Sequence, residues 1–359
     1  MTGQWHSREY KEGDERGILD LYKLVFGAEM SVSHWEWKYK RNPAGQALII
    51  LAETDGGIVG QYALLPRLMK IGDDVQIGSL SLDTMVHPEY RGQGMFVTLA
   101  KKAYELADRR GIQFVYGFPN GNSHYGIITK LNWIDLYKGI PLWVKPLNLE
   151  NILKKRFVDN RLLVSLGGKI GNIAMKVLYR PQRRIPVCSI REIPSLGPRF
   201  DSLWHEASRD HKIMVVRDKA YLTWRYVEKP GNDYVILIAE RGQDLLGYIV
   251  LRCMEQFGLQ IGFVVDMLTI PEETAVSVDL ISAAVKYFEL KQMDIAGCLM
   301  LPNVCYAHSL KQAGFIKAAN KLLPQNMYLG VRSFIPLQPT DFLADRNNWF
   351  ISWSDHDVV

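Results

Sequence analysis

A chain of 359 residues is long for one domain, since a single domain takes roughly 100–200, and two are expected. Hydrophobic residues at 48% and charged residues at 23% are ordinary globular proportions and exclude a disordered tail. The net charge of +5 suits an anionic small ligand as well as nucleic acid and chooses neither.

The N-terminal stretch, Met1 to Lys11, is polar and lacks the apolar core of a signal peptide. No apolar run approaches the ~18 residues of a membrane helix. Four cysteines, at 188, 253, 298 and 305, form no C-x-x-C pair, so neither a zinc site nor a disulfide framework is expected. Reduced thiols in a cytoplasmic protein without a metal fit this usage.

Trp37-Lys38-Tyr39 followed by Pro43 opens a block that reads as a hairpin, with an apolar run, a charged turn, Gly60 and a second apolar run. Ile77 to Val86 then alternates like a strand, with Leu80, Leu82 and Val86 on one side. On its other face Ser79, Ser81 and Asp83 make a central strand polar. After the turn Val86-His87-Pro88-Glu89-Tyr90-Arg91-Gly92-Gln93-Gly94-Met95, the stripe Phe96, Leu99, Ala103, Leu106 and Ala107 predicts an amphipathic helix stopped at Gly111. A strand over Ile112–Phe118 follows.

A strand, a glycine-bearing turn and a helix together suit an anion. Glycines let the backbone approach, the helix N-terminus supplies N–H groups and partial positive charge, and Arg91 supplies a full one.

The chain then repeats itself. Trp224-Arg225-Tyr226 and Pro230 return at an offset of 187, with Ala52, Glu53 and Gly60 recurring as Ala239, Glu240 and Gly247. At an offset of 183, Asp83 matches Asp266, Pro88 matches Pro271 and Pro119-Asn120 matches Pro302-Asn303. Landmarks kept in order and spacing mean duplication. The expected division is a first domain at 1–148, a linker at 149–190, a second domain at 191–335 and a tail at 336–359. Residues 151–184 hold nine Lys or Arg against the single acid Asp159. A solvated helix is the first reading of this linker, and a surface for an anionic membrane or polymer the second. Its cations are not interleaved with aromatics, and no nucleic-acid partner is expected.

Arg91, Gly92, Gln93, Gly94 and Met95 resemble the GNAT acyltransferase signature [RQ]-x-x-G-x-[GA], with Phe96 in place of its last small residue. Gly117 to Ser123 and Lys130-Leu131-Asn132-Trp133 resemble the next strand and helix of that family. The resemblance implies an α/β (α+β) fold of two tandem GNAT-like domains, each a mixed central sheet flanked by helices. It implies acetyl-CoA as cosubstrate, bound by Met85, Val86, Arg91 to Phe96, Asn120 and Ser123. The second copy reads Thr274-Ala275-Val276-Ser277-Val278 at the loop, without glycine or arginine, so its site is expected to be degenerate.

For catalysis, Asp83 is the candidate base or amine-orienting group, with a structural role as the alternative because Asp266 persists in the second copy. Glu53, which also recurs, is a weaker candidate. Many relatives place a proton-donating tyrosine where this chain has Ile128. His124 and Tyr125 are the candidates to replace it, with a water or a residue of the second domain as alternatives. The implied reaction is acyl transfer to a primary amine of a small molecule, an amino sugar among them. Aminoacyl or longer acyl transfer and a non-catalytic acyl-CoA sensor remain the alternatives, and the oligomeric state is open.

Overall fold

The computed structural model describes residues 4–156, 185–271, 273–301, 306–318, 326–334 and 340–356. Most of the basic linker, 157–184, lies outside the described residues.

In chain order the first unit opens with β1 (His6–Glu9), α1 (Glu15–Phe26), α2 (Val32–Tyr39), β2 (Leu48–Thr54), β3 (Gly57–Ile71) and β4 (Asp74–Val86). It continues with α3 (Met95–Arg109), β5 (Phe114–Gly117), α4 (Gly121–Lys130) and β6 (Ile134–Tyr137). β7 (Leu142–Pro146), α5 (Leu149–Arg156), β8 (Ser189–Ile193) and α6 (Arg199–Ala207) belong to the second unit. β9 (Ile213–Val215) and α7 (Lys219–Tyr226) return to the first. The second unit then takes β10 (Tyr234–Arg241), β11 (Asp244–Gln256), β12 (Leu259–Thr269), α8 (Thr274–Leu290), β13 (Ile295–Leu299), α9 (Tyr306–Gln312) and β14 (Ile316–Lys317). β15 (Leu329–Ser333) and α10 (Thr340–Ala344) close the first unit.

Each unit is built on one mixed sheet. The first runs β1-β2-β3-β4-β5-β15-β6, with β9 on the far end of β3, and the second runs β14-β7-β13-β12-β11-β10-β8. The compact units are therefore not contiguous stretches of sequence. β7, from the end of the first copy, pairs β13, and β15, from the end of the second, pairs β5 and β6. The tail divides too. Trp349 packs on Phe114 and Tyr116 in the first unit, while Ser352 donates to Asp266 in the second.

In the first unit the sheet is covered on both faces, and strand alternation sorts the core. Ile49, Leu51 and Ala63 join Ile18, Leu21, Trp35 and Tyr39 of α1 and α2. Ile50, Ala52, Tyr62 and Leu64 join Met95, Leu99, Ala103 and Ala107 of α3. Each leucine, isoleucine or methionine among them contributes about 1.5–3 kcal/mol by leaving water. Ser31 starts α2 by accepting from the His34 N–H, and Gly27, at φ +68°, ends α1.

The strict alternation breaks in β4. Its register against β3 shifts between Gln61 and Ala63, leaving Asp83 and Thr84 opposite Tyr62 alone, and Asp83 sits at φ +43°. Past this bulge Met85 packs with the α1 and α2 cluster and Val86 with the α3 cluster.

Candidate active site

The turn after β4 places its groups as an anion cradle requires. Pro88–Tyr90 forms one 3-10 turn, Arg91 is extended, and Gly92 and Gly94 have φ of +80° and +77°. A Cβ at either glycine would meet open space, so it is the left-handed backbone that calls for glycine. Gly94 is the N-cap of α3, with no side-chain cap and no acid in the first turn. The first-turn N–H groups of a fifteen-residue helix thus point outward with its dipole. Arg91 is exposed, and its guanidinium has no hydrogen-bond partner among the described residues.

Beside this turn the sheet opens. β4 and β5 pair in parallel only through Ser79, Leu80 and Ser81, whereas β4 runs on to Val86. The His87 N–H donates to the Val59 carbonyl at 2.9 Å. Main-chain groups alternate in direction along an antiparallel strand, so the N–H and carbonyl of Val86 turn away from β3, toward the gap where β5 has ended. An opening at the carboxyl ends of parallel strands is where α/β sheets receive ligands.

The polar face expected of β4 resolves differently. Ser79 is fully buried and donates to the Phe114 carbonyl. Ser81 Oγ lies 2.9 Å from Tyr62 Oη, which lies 2.8 Å from Tyr104 Oη, and the Trp133 indole donates to Tyr104. Burial pushes both phenols up, so they stay protonated and serve as links rather than bases.

Asp83 does not share that face, because the bulge turns it toward α2. There its Oδ2 lies 2.5 Å from Lys38 Nζ and accepts the Tyr39 hydroxyl. Both members of the ion pair are only 9% exposed. Glu53 is engaged as well, by Arg8 at 2.6 Å, in a cluster with Asp14.

α4 lies next to the loop: a Cβ at Gly126 would come 3.2 Å from the Phe96 ring. Asn120 caps α4 by accepting from Asn122 N–H and Ser123 N–H at 3.0 Å, and the Ser123 hydroxyl bonds back to Asn120. The polar atoms of that pair therefore face each other. Tyr125 is 69% exposed, while Ile128 packs against the α3 core. His124 is held instead, with Nε2 3.0 Å from Asp135 Oδ2 and its ring stacked on Tyr328 at 3.9 Å. Asp135 escaped sequence reasoning, and no motif marks it.

The acetyltransferase (GNAT) domain family model matches residues 6–134, the span that holds the loop, the bulge and the opened sheet. This chain carries a GNAT domain. No curated protein matches it. Among solved structures, a probable N-acyltransferase from Enterococcus faecalis V583 is similar over 92% of this chain and 73% of its own, at 11% identity and TM-score 0.61. A GCN5-related N-acetyltransferase from Anabaena variabilis ATCC 29413 covers 92% and 72% at 12% identity and TM-score 0.60. Saccharomyces cerevisiae N-myristoyltransferase, with bound myristoyl-CoA, covers 93% and 80% at 11% identity and TM-score 0.60. At such identities the likeness is one of fold, and it extends beyond the GNAT domain into the second sheet.

The second unit repeats that fold without the cradle. Its β11–β12 register also shifts, between Val250 and Leu251, close to Asp266. α8, however, begins after Glu273 in place of glycine, and that carboxylate is held by Arg241 at 2.7 and 3.0 Å. The hydrogen bonds from Arg241 keep Glu273 below its ordinary carboxylate range. A fixed negative charge at the helix N-terminus repels a second anion. Asp266 is buried, accepting from Tyr248 and Ser352.

Proposed function

We propose that the chain is an acyl-CoA-dependent N-acyltransferase that moves an acetyl group from acetyl-CoA to a primary amine of a small molecule, such as an amino sugar. The carrying observation is the glycine turn from Arg91 to Gly94 opening α3 beside the end of β4–β5 pairing. The pyrophosphate would lie on the N–H groups of Gly92 to Val97 with Arg91 beside it. The Val86 N–H, turned into the gap, would bind a thioester carbonyl and the negative charge that develops on it.

Asp83, paired with Lys38 and Tyr39, fits the orienting role better than that of a free base, because a proton acceptor needs an open lone pair aimed at the amine. Longer acyl donors form the second reading. It is favoured by the likeness in fold to the N-myristoyltransferase bound to myristoyl-CoA. The amine and the chain length belong to the loops around the site rather than to the fold.

Calorimetric titration of acetyl-CoA into the wild type, Gly94→Ala and Gly94→Glu tests the reading. Binding weakened by alanine and abolished by glutamate is the expected order, since alanine adds only backbone strain and glutamate adds a repelling charge. Absence of binding by the wild type sinks the acetyl-CoA reading, and myristoyl-CoA is then the next titrant.

A further inference from the structure

His124 is locked from two directions. Its Nε2 meets Asp135 Oδ2 at 3.0 Å, and the face of its ring lies on Tyr328 at 3.9 Å with 22° between the planes. The imidazole and the carboxylate are 21% and 15% exposed, so neither ranges freely in solvent. Nδ1 has no hydrogen-bond partner among the described residues. Asp135 is on β6, whose neighbour β15 pairs Gly330 with Asp135 on one side and with Gly117 of β5 on the other. Tyr328 immediately precedes β15. The group therefore stands at the carboxyl end of β5, where pairing with β4 stops, and α4 carries it two residues from the Phe96–Gly126 contact with the cofactor turn.

A carboxylate that accepts from one imidazole nitrogen fixes the tautomer and dedicates the other nitrogen to proton transfer. We propose that Asp135 is a positioning residue for His124 in its imidazolium form, accepting the Nε2–H and holding the ring so that the second proton, on Nδ1, goes to the departing CoA thiolate. The inference rests on the acyl-transfer reading above. As the amine nitrogen bonds to the acyl carbon, the carbon–sulfur bond breaks and the electron pair leaves on sulfur. Sulfur takes the Nδ1 proton and the ring becomes neutral with Nε2–H kept on Asp135; the attacking nitrogen gives its own proton to water, and Nδ1 is reprotonated from water. The group acts where the tyrosine of many relatives is replaced by Ile128.

The test uses the full chain with acetyl-CoA and a panel of primary amines, following thiol release with a chromogenic reagent. His124→Gln is expected to lower kcat about 100-fold and Asp135→Asn about tenfold, with acetyl-CoA affinity by calorimetry unchanged in both. Adding Asp135→Asn to His124→Gln should cost no further rate, because Asp135 acts only through the ring. Asp135→Glu should recover part of the loss. Equal costs of Asp135→Asn in both backgrounds, or a His124→Gln variant as fast as wild type, would overturn the inference and leave the acyl-transfer reading standing. Acetyl-CoA binding without thiol release from any amine, by contrast, would remove that reading and this role together.

Discussion

The indoles of Trp37 and Trp224 stack with centroids 4.9 Å apart and 17° between planes. Each ring N–H donates to the other residue's main-chain carbonyl, at 2.7 and 2.9 Å. These are repeat-equivalent residues, 187 positions apart. They meet within the first unit as a self-complementary pair, each making to the other the contact it receives. Both are buried, at 4% and 3% exposure, so the pair anchors the core of the first unit rather than a binding surface. Trp37→Phe keeps the stack but leaves the Trp224 carbonyl without its donor, and is expected to cost about 1–3 kcal/mol. Trp37→Ala empties the site and is expected to cost about 3–5 kcal/mol. Urea unfolding reads both as a lower midpoint, and equal small losses would show that the stack carries no weight.

Asp83 occupies a backbone region that costs a non-glycine residue about 1–2 kcal/mol. The ion pair with Lys38 and the bond from Tyr39 hold it there and so fix the bulge that aims Val86. Asp83→Asn tolerates the backbone but leaves Lys38 buried without its carboxylate, an expected loss of about 3–5 kcal/mol. The double variant Asp83→Asn with Lys38→Met removes both charges and should regain most of it. A stable Asp83→Asn protein that has lost only kcat would instead mark the aspartate as a base.

Acid should loosen the first unit in a defined window. Burial works against the charge on Glu15, but hydrogen bonds from Tyr10, its own N–H, Lys40 and Gly13 outweigh it and bring the carboxyl down to about 2. Glu53 is also lowered, chiefly by its hydrogen bond from Arg8. A carboxyl lowered in the folded state stabilises fully above its unfolded value near 4.5, and that stability is lost as pH falls toward 2. Melting temperature should thus be flat from about pH 5 to 8 with respect to these groups and fall below. Glu15→Gln should lower the plateau and flatten the fall. An unchanged slope in that variant would show that other carboxyls carry the acid response.

What the sequence made legible was local. The turn from Arg91 to Gly94 and the stripe of α3 rest on spacing within a few residues, and the structure has both where spacing predicts. Three features were hidden, each for a tertiary reason. Ser79 to Val86 reads as one alternating strand, and nothing in S-L-S-L-D-T-M-V announces that Asp83 breaks the alternation. β7 and β15 read as strands whichever sheet takes them, since their partners lie far along the chain. Asp135 gains its meaning from a histidine eleven positions earlier and a tyrosine nearly two hundred later.

Binding should occur once per chain. In the first unit the turn at α3 presents two left-handed glycines, outward N–H groups and the exposed Arg91. In the second, the helix opens after Glu273, clasped by Arg241, so a carboxylate stands where the first unit has a glycine. Calorimetry of acetyl-CoA is therefore expected to give one site per chain. Arg91→Ala should weaken it about tenfold, as loss of one charge-assisted phosphate contact does. Arg241→Ala frees Glu273 from the cation that clasps it but removes no ligand contact, and affinity should not move. Two equivalent sites, or a loss in Arg241→Ala matching that in Arg91→Ala, would mean that the second unit binds the cosubstrate by groups other than a glycine turn.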